Sequence, residues 1–272
     1  MHDGGLGDDP VEVEETGLDG VGQTELSHIR TVPREAALQW VAHATLLADG
    51  GCHTLCVPLT FDDLLGRARA LPRDGRRALL GIAGSPGSGK TTLAERLVDA
   101  LNGDGPPWAA HVPMDGFHLA DAELDRLGRR DRKGAPDTFD AAGYAALLRR
   151  LREETDEVVY APGFERVLEQ PLAGAIPVPP RARLVVTEGN YLLLREGSWA
   201  RVRKCLDEVW FCEIAEDERI RRLVARHEEF GKEHEAAVAW VLGSDQRNAD
   251  LVATTRQWAD LVVPAGVLRP VS

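Results

Sequence analysis

No stretch of this chain approaches the roughly 20 consecutive apolar residues that a membrane-spanning helix requires, so no membrane partner is expected. No cationic start with an apolar run follows Met1, so no secretory leader is expected either. Cysteine is sparse. The four are Cys52, Cys56, Cys205 and Cys212, and the Cys52–Cys56 pair has no second Cys/His pair nearby at zinc-ligand spacing. All four read as reduced thiols of a cytoplasmic protein. A basic stripe is also missing, which argues against nucleic acid as a partner. There is no internal repeat and no coiled-coil heptad.

What is present begins with a charge asymmetry. The net charge is −12, but residues 1–25 alone hold eight acidic groups and no Lys or Arg. The rest of the chain is therefore close to balance, at about −4. The first segment, taken as residues 1–33, reads as a disordered acidic tail. Residues 34–77 read as a helical extension. It holds a helix over 34–49, a short strand over 52–58, and a helix from Thr60 to about Ala70, with Thr60 as N-cap and Asp62 and Asp63 in its first turn. Residues 72–77 read as a linker, and residues 78–272 as the main domain.

In that domain, apolar runs at 78–83, 184–187, 208–212 and 261–263 alternate with segments of helical spacing. His111–Met114 reads as the end of a strand. Asp140 caps a helix with Tyr144, Leu147, Leu148 and Leu151 on one face. Residues 158–160 read as a short strand, and 161–180 as an irregular, proline-rich stretch. Two charged helices follow, over 216–230 and 235–252. Strands alternating with helices predict an α/β fold, with a parallel sheet covered by helices on both faces.

Residues 84–91 read Gly-Ser-Pro-Gly-Ser-Gly-Lys-Thr, the G-x-x-x-x-G-K-[ST] phosphate-binding loop. An apolar strand precedes it and a helix follows, so the helix N-terminus faces the phosphates. Gly84, Ser85, Pro86, Gly87, Ser88, Gly89, Lys90, Thr91 and Thr92 are the expected nucleotide contacts. Lys90 suits the β- and γ-phosphates, and the Thr91 hydroxyl suits Mg²⁺. ATP and Mg²⁺ are the expected cofactors.

The loop alone does not select a reaction. Only four lysines exist, at positions 90, 133, 204 and 232, and none sits in a guanine-reading Asn-Lys-x-Asp element. The strand over 184–187 runs into Glu188-Gly189 rather than the Asp-Glu pair of a motor ATPase. Asp115 follows a strand end, where ligand crevices of parallel sheets lie. A carboxylate there suits orientation and deprotonation of an acceptor hydroxyl; a turn or N-cap aspartate is the plainer alternative. Glu188 suits a metal through water, or the acceptor; a solvated strand-end acid is its alternative. Arg219, Arg222 and Arg226 share a helix face and suit an arginine lid over about 216–232. Their alternative is a solvated face paired with neighbouring acids.

Several motifs occur in one order. They are the loop at 84–92, Met-Asp-Gly-Phe-His-Leu (114–119), Gly-Ala-Pro-Asp-Thr-Phe-Asp (134–140), Tyr-Ala-Pro-Gly-Phe-Glu-Arg (160–166), Glu-Gly-Asn-Tyr-Leu-Leu-Leu (188–194), the arginine helix, and 245–249. Over roughly residues 60–265 this pattern resembles the uridine kinase / phosphoribulokinase / bacterial pantothenate kinase group of P-loop kinases. Within that group it is similar to bacterial nucleoside/nucleotide-kinase-like proteins labelled fructose-transport-associated kinases. The resemblance implies a P-loop NTPase fold with a helical arginine lid. It makes Asp115 the acceptor-side catalytic carboxylate, beside Lys90, with Arg222 and Arg226 in the lid. It puts Asp137 in the acceptor loop, and Tyr160, Phe164 and Arg166 in the acceptor pocket. His118, Glu188, Asn190 and Tyr191 lie in the same motifs and join the expected acceptor contacts.

The implied activity is transfer of the ATP γ-phosphate to an alcohol hydroxyl of a nucleoside or sugar-like metabolite. A pantothenate-like acceptor remains open. So does an ATP-binding regulatory protein without a small-molecule acceptor. The segment by which uridine kinases read the base is replaced here by Tyr-Ala-Pro-Gly-Phe-Glu-Arg. Related kinases form dimers or tetramers, which leaves a homodimer open.

Overall fold

The computed structural model describes residues 59–268. The expected acidic tail, the helix over 34–49, the strand over 52–58, Cys52 and Cys56 lie outside the described residues.

Helix α1 (Phe61–Arg69) starts at the expected cap. The Thr60 hydroxyl accepts from the Asp63 N–H at 3.2 Å, and the Asp63 carboxylate accepts from the Thr60 N–H at 2.9 Å. The expected linker before the sheet holds a surprise in Arg77, which is 1% exposed. Its guanidinium donates to the carbonyls of Ala182 at 2.7 Å, Leu151 at 2.8 Å and Pro179 at 2.9 Å. Burial of its charge is tolerated because those donors are satisfied.

Five strands form one parallel sheet: β1 (Ala78–Ala83), β2 (Ala109–His111), β5 (Leu184–Gly189), β6 (Glu208–Cys212) and β7 (Leu261–Val263). The spatial order is β2-β5-β1-β6-β7. Strands β1 and β5 are buried along their whole length, as a sheet covered on both faces requires. Alternation divides their side chains between two cores. Leu80, Ile82, Leu184 and Val186 pack with α1 and with α2 (Lys90–Asn102). Leu79, Ala83 and Val185 pack with α4 (Ala141–Glu153) and α5 (Trp199–Cys205). Asp140 caps α4 through the Gly143 N–H at 2.8 Å. Cys205 and Cys212 are free and buried. Burial pushes the Cys212 thiol up to about 12. Among the described residues no helix is long and apolar enough to cross a membrane.

Three local expectations are corrected. Residues 161–180 are not irregular. They complete an antiparallel hairpin of β3 (Val159–Glu165) and β4 (Gln170–Val178). Its prolines argued against strand, yet in a two-stranded ribbon each strand has a free edge where a missing N–H costs little. The helix expected over 235–252 is divided into α7 (His234–Trp240) and α8 (Gln246–Ala253) by a π-helical turn, Val241–Asp245. Helices α3 (Asp121–Arg126) and α5 lie in segments where the pattern gave no helix signal. The charged helix over 216–230 is present as α6 (Glu216–Glu229).

Candidate active site

The P-loop runs from the end of β1 into α2. Its middle glycine, Gly87, sits at φ 81°, in the left-handed region. A Cβ there would lie 3.0 Å from Leu223 Cγ and 3.2 Å from the Arg219 carbonyl oxygen. The loop therefore packs directly against α6. Ser88 Oγ, in the loop itself, is buried without a partner among the described residues, and so is Arg219 Nη1, whose guanidinium meets Gln246 through Nη2. A buried hydroxyl left without a partner in such a loop fits an anion site.

Topology sets the second wall. Because β5 lies between β1 and β2, the segments following their carboxyl ends are neighbours. Glu188 is the penultimate residue of β5 and is 4% exposed, so it is not a solvated strand-end acid. Its Oε1 accepts from the Thr91 hydroxyl at 3.1 Å. Burial pushes its carboxyl up to about 7; Lys90 pulls it back, Asp115 pushes it further, and Thr91 and Arg166 pull it back. Thr91 is therefore in direct contact with this buried carboxylate, while Lys90, Asp115 and Arg166 act on it through their charges.

Asp115 lies in the short turn Met114–Phe117 that follows β2. The next residue, Gly116, permits a close approach. A Cβ there would collide with the Pro162 carbonyl oxygen, so the turn sits directly against β3. That contact brings the hairpin over Asp115. Arg166 Nη2 lies 3.7 Å from Asp115 Oδ2. The His118 ring lies between Phe139, at 4.0 Å, and Phe164, at 4.9 Å. Its Nδ1 is 2.8 Å from the Asp115 carbonyl oxygen, so Nδ1–H donates and Nε2 is left as an acceptor. Burial lowers the His118 pKa, opposed chiefly by Asp115.

Other expected residues are placed differently. Asp137 faces arginines of its own loop, with Arg132 at 2.6 Å and Arg129 at 3.5 Å. Tyr160 is 59% exposed. Tyr191 is fully buried among Phe139 and Trp199, and its hydroxyl donates to the Gly134 carbonyl at 2.5 Å. It holds the 128–137 loop from beneath and offers no open surface to a ligand. Asn190 follows Glu188 with its Oδ1 buried and unpartnered among the described residues. Thr92 is exposed. On α6, Arg222 pairs with Glu218 at 2.8 Å and Arg226 is exposed. The arginine buried against the P-loop is Arg219, 4% exposed and bonded to Gln246.

Two neighbours of the site were not singled out by the sequence. Lys133 donates to Asp121 at 2.8 Å and to the Glu169 carbonyl at 2.5 Å, and lies 5.5 Å over the Phe164 ring. It thereby ties the 128–137 loop to the hairpin tip. Its only sequence signal was being the sole lysine of that loop. His111 ends β2, and its Nε2 is buried without a partner among the described residues. Burial lowers its pKa to about 4, with Asp115 opposing.

Comparison with known proteins agrees with this architecture. A family model described as "Phosphoribulokinase / Uridine kinase family" matches residues 79–272. A Schizosaccharomyces pombe protein named "Putative uridine kinase C227.14" is 36% identical over 173 residues, which is 62% of this chain and 74% of that protein. A pantothenate kinase of Leifsonia xyli is 32% identical over 145 residues, 53% of this chain and 43% of that protein. The crystal structure of a "putative fructose transport system kinase" from Silicibacter sp. TM1040 superposes with a TM-score of 0.69 at 39% identity, covering 76% of this chain and 100% of that one. YFH7 from Saccharomyces cerevisiae, at 20% identity, 75% coverage of this chain and 97% of its own, shares the fold with a TM-score of 0.64. With the P-loop, the β2-β5-β1 strand order and a family match running from β1 to the last residue, this chain belongs to the phosphoribulokinase/uridine kinase family of P-loop kinases.

Proposed function

We propose that this protein transfers the γ-phosphate of ATP to an alcohol hydroxyl of a small metabolite. The observation that carries this reading is the Thr91 hydroxyl bonded to the buried Glu188 carboxylate beside the P-loop, with Lys90 and Asp115 close enough for their charges to act on it. The orphaned donors Ser88 Oγ and Arg219 Nη1 fit a polyanion at the loop. Residues 84–92 would hold the triphosphate, and Thr91 and Glu188 the Mg²⁺; together these ligands supply the phosphoryl group and its counter-charge.

The chain's own residues then divide the work. Lys90 and Arg219 hold positive charge where negative charge develops. Asp115 orients the acceptor hydroxyl and takes its proton. The tilted His118 and Phe164 rings form a wall for the acceptor, with Arg166 at its edge and the Asp137 loop at its rim. Arg222 and Arg226 belong to the moving side of a lid on α6, whose closure excludes water that would compete as acceptor.

A coupled assay of ADP release over nucleosides, sugars and pantothenate-like alcohols tests the reading. Release that depends on one acceptor class, and is lost in D115N, is the expected result. Slow hydrolysis indifferent to every acceptor would instead describe an ATP-binding regulator.

A further inference from the structure

We infer that Arg166 reads a carboxylate on the acceptor, so that the substrate is a small hydroxy acid. This rests on the kinase reading above and narrows it.

The inference starts from how the cations of the acceptor wall are used. Lys133 is committed to Asp121 and the Glu169 carbonyl. Arg132 and Arg129 are committed to Asp137, and Arg130 to Asp121 at 2.8 Å. Arg166 differs. Its distance of 3.7 Å to Asp115 exceeds that of a hydrogen bond. Its side chain is 46% exposed, and among the described residues no hydrogen bond from its guanidinium is made. The fork is held 5.9 Å over the Phe164 ring, a stacking that orients it without using its donors.

A guanidinium with free parallel N–H groups matches a carboxylate in a bidentate pair. Its closeness to Asp115 means that one small molecule reaches both. The hydroxyl would lie at Asp115, the carboxylate at Arg166, and the short carbon skeleton against His118 and Phe164. Pairing with the acceptor draws Arg166 away from Asp115 and leaves that carboxylate to the hydroxyl proton. A phosphate ester suits the place less well, because one guanidinium balances one charge, and Asp115 and Glu188 already concentrate negative charge beside it.

The test is ADP release with matched pairs: D-glycerate and glycerol, D-gluconate and sorbitol, pantothenate and panthenol, with glycerol 3-phosphate and uridine as further arms. The expected result is an acid favoured over its alcohol by about 100-fold in kcat/KM. R166Q should raise KM for that acid about 10- to 100-fold while changing kcat little, and R166K should recover only part of it. Thermal unfolding checks that R166Q folds. Equal use of acid and alcohol, better use of glycerol 3-phosphate or uridine than of any acid, or an R166Q loss of kcat common to every acceptor overturns the inference and leaves the kinase reading intact. No acceptor-dependent release in any arm overturns both.

Discussion

The Thr91 hydroxyl donates to the Glu188 carboxylate at 3.1 Å, joining the first turn of α2 to the last residues of β5. Ninety-seven positions separate the two residues. The contact exists because β5 is inserted beside β1 in the sheet, and it gives the P-loop an acidic back wall.

That wall has a pH signature. The Glu188 carboxyl titrates near 7 in the folded protein against an ordinary value of 4.5. Between those values the native state holds a proton that the unfolded chain has released. Its contribution to stability is therefore full below about 4.5 and is lost as pH rises towards about 7. His111 acts in the opposite sense. Its pKa, lowered from 6.5 to about 4, costs stability as pH falls through that interval. Comparing E188Q with the wild type cancels the His111 effect. In nucleotide-free thermal unfolding, the gap between the two proteins should change from pH 4.5 to 7 and level off above. A constant gap would remove Glu188 as the source.

The Asp115 side chain is partly exposed, and among the described residues its carboxylate makes no hydrogen bond, only the 3.7 Å pairing with Arg166. D115N should fold normally and bind ATP with unchanged affinity, while kcat falls about 10²- to 10⁴-fold. Calorimetry and steady-state assays on the same preparation separate the two effects. Unaltered kcat would take Asp115 out of the reaction.

Arg219 and Arg222 stand three residues apart on α6 but in different surroundings. Arg219 is buried beside Gly87, whereas Arg222 faces solvent with Glu218. R219Q should weaken ATP binding about tenfold. R222Q should change binding less than about twofold, because an exposed i,i+4 pair is worth little. Titration of each variant with ATP and Mg²⁺ decides. Equal effects would show that burial does not distinguish the two arginines.

Arg77, just before β1, holds two segments, the end of α4 and the turn at 179–182, through their carbonyl oxygens. R77M removes the donors and leaves those carbonyls buried, at a cost of about 3 kcal/mol. Urea denaturation should show the lowered midpoint with KM for ATP unchanged. A midpoint within experimental error of the wild type would mean that water replaces the guanidinium.

Much of the site was legible before folding. The P-loop is a contiguous motif whose function depends on local backbone geometry, so eight neighbouring residues suffice to read it. Asp115 and Glu188 were legible as strand-end acids for the same reason. Tyr160 and Tyr191, both expected as acceptor contacts, differ in setting: Tyr160 is exposed and Tyr191 is fully buried. Both lie in motifs that hold other candidate site residues, and only packing shows which aromatic faces outwards and which braces a loop. The hairpin over 159–178 was missed because its prolines argue against strand unless both strands are known to be edges.

Taken alone, the sequence determined the donor side: a phosphate loop between a buried strand and a helix, with acids following other strands, because these signals are local in the chain. The tertiary structure decided the acceptor side. The β2-β5-β1 order brings Asp115 and Glu188 to the loop, the Gly116–Pro162 approach lays the hairpin across Asp115, and packing of α6 on Gly87 selects Arg219 among its neighbours. Each of these depends on contacts between residues distant in sequence, and side-chain periodicity carries no information about which distant surfaces meet.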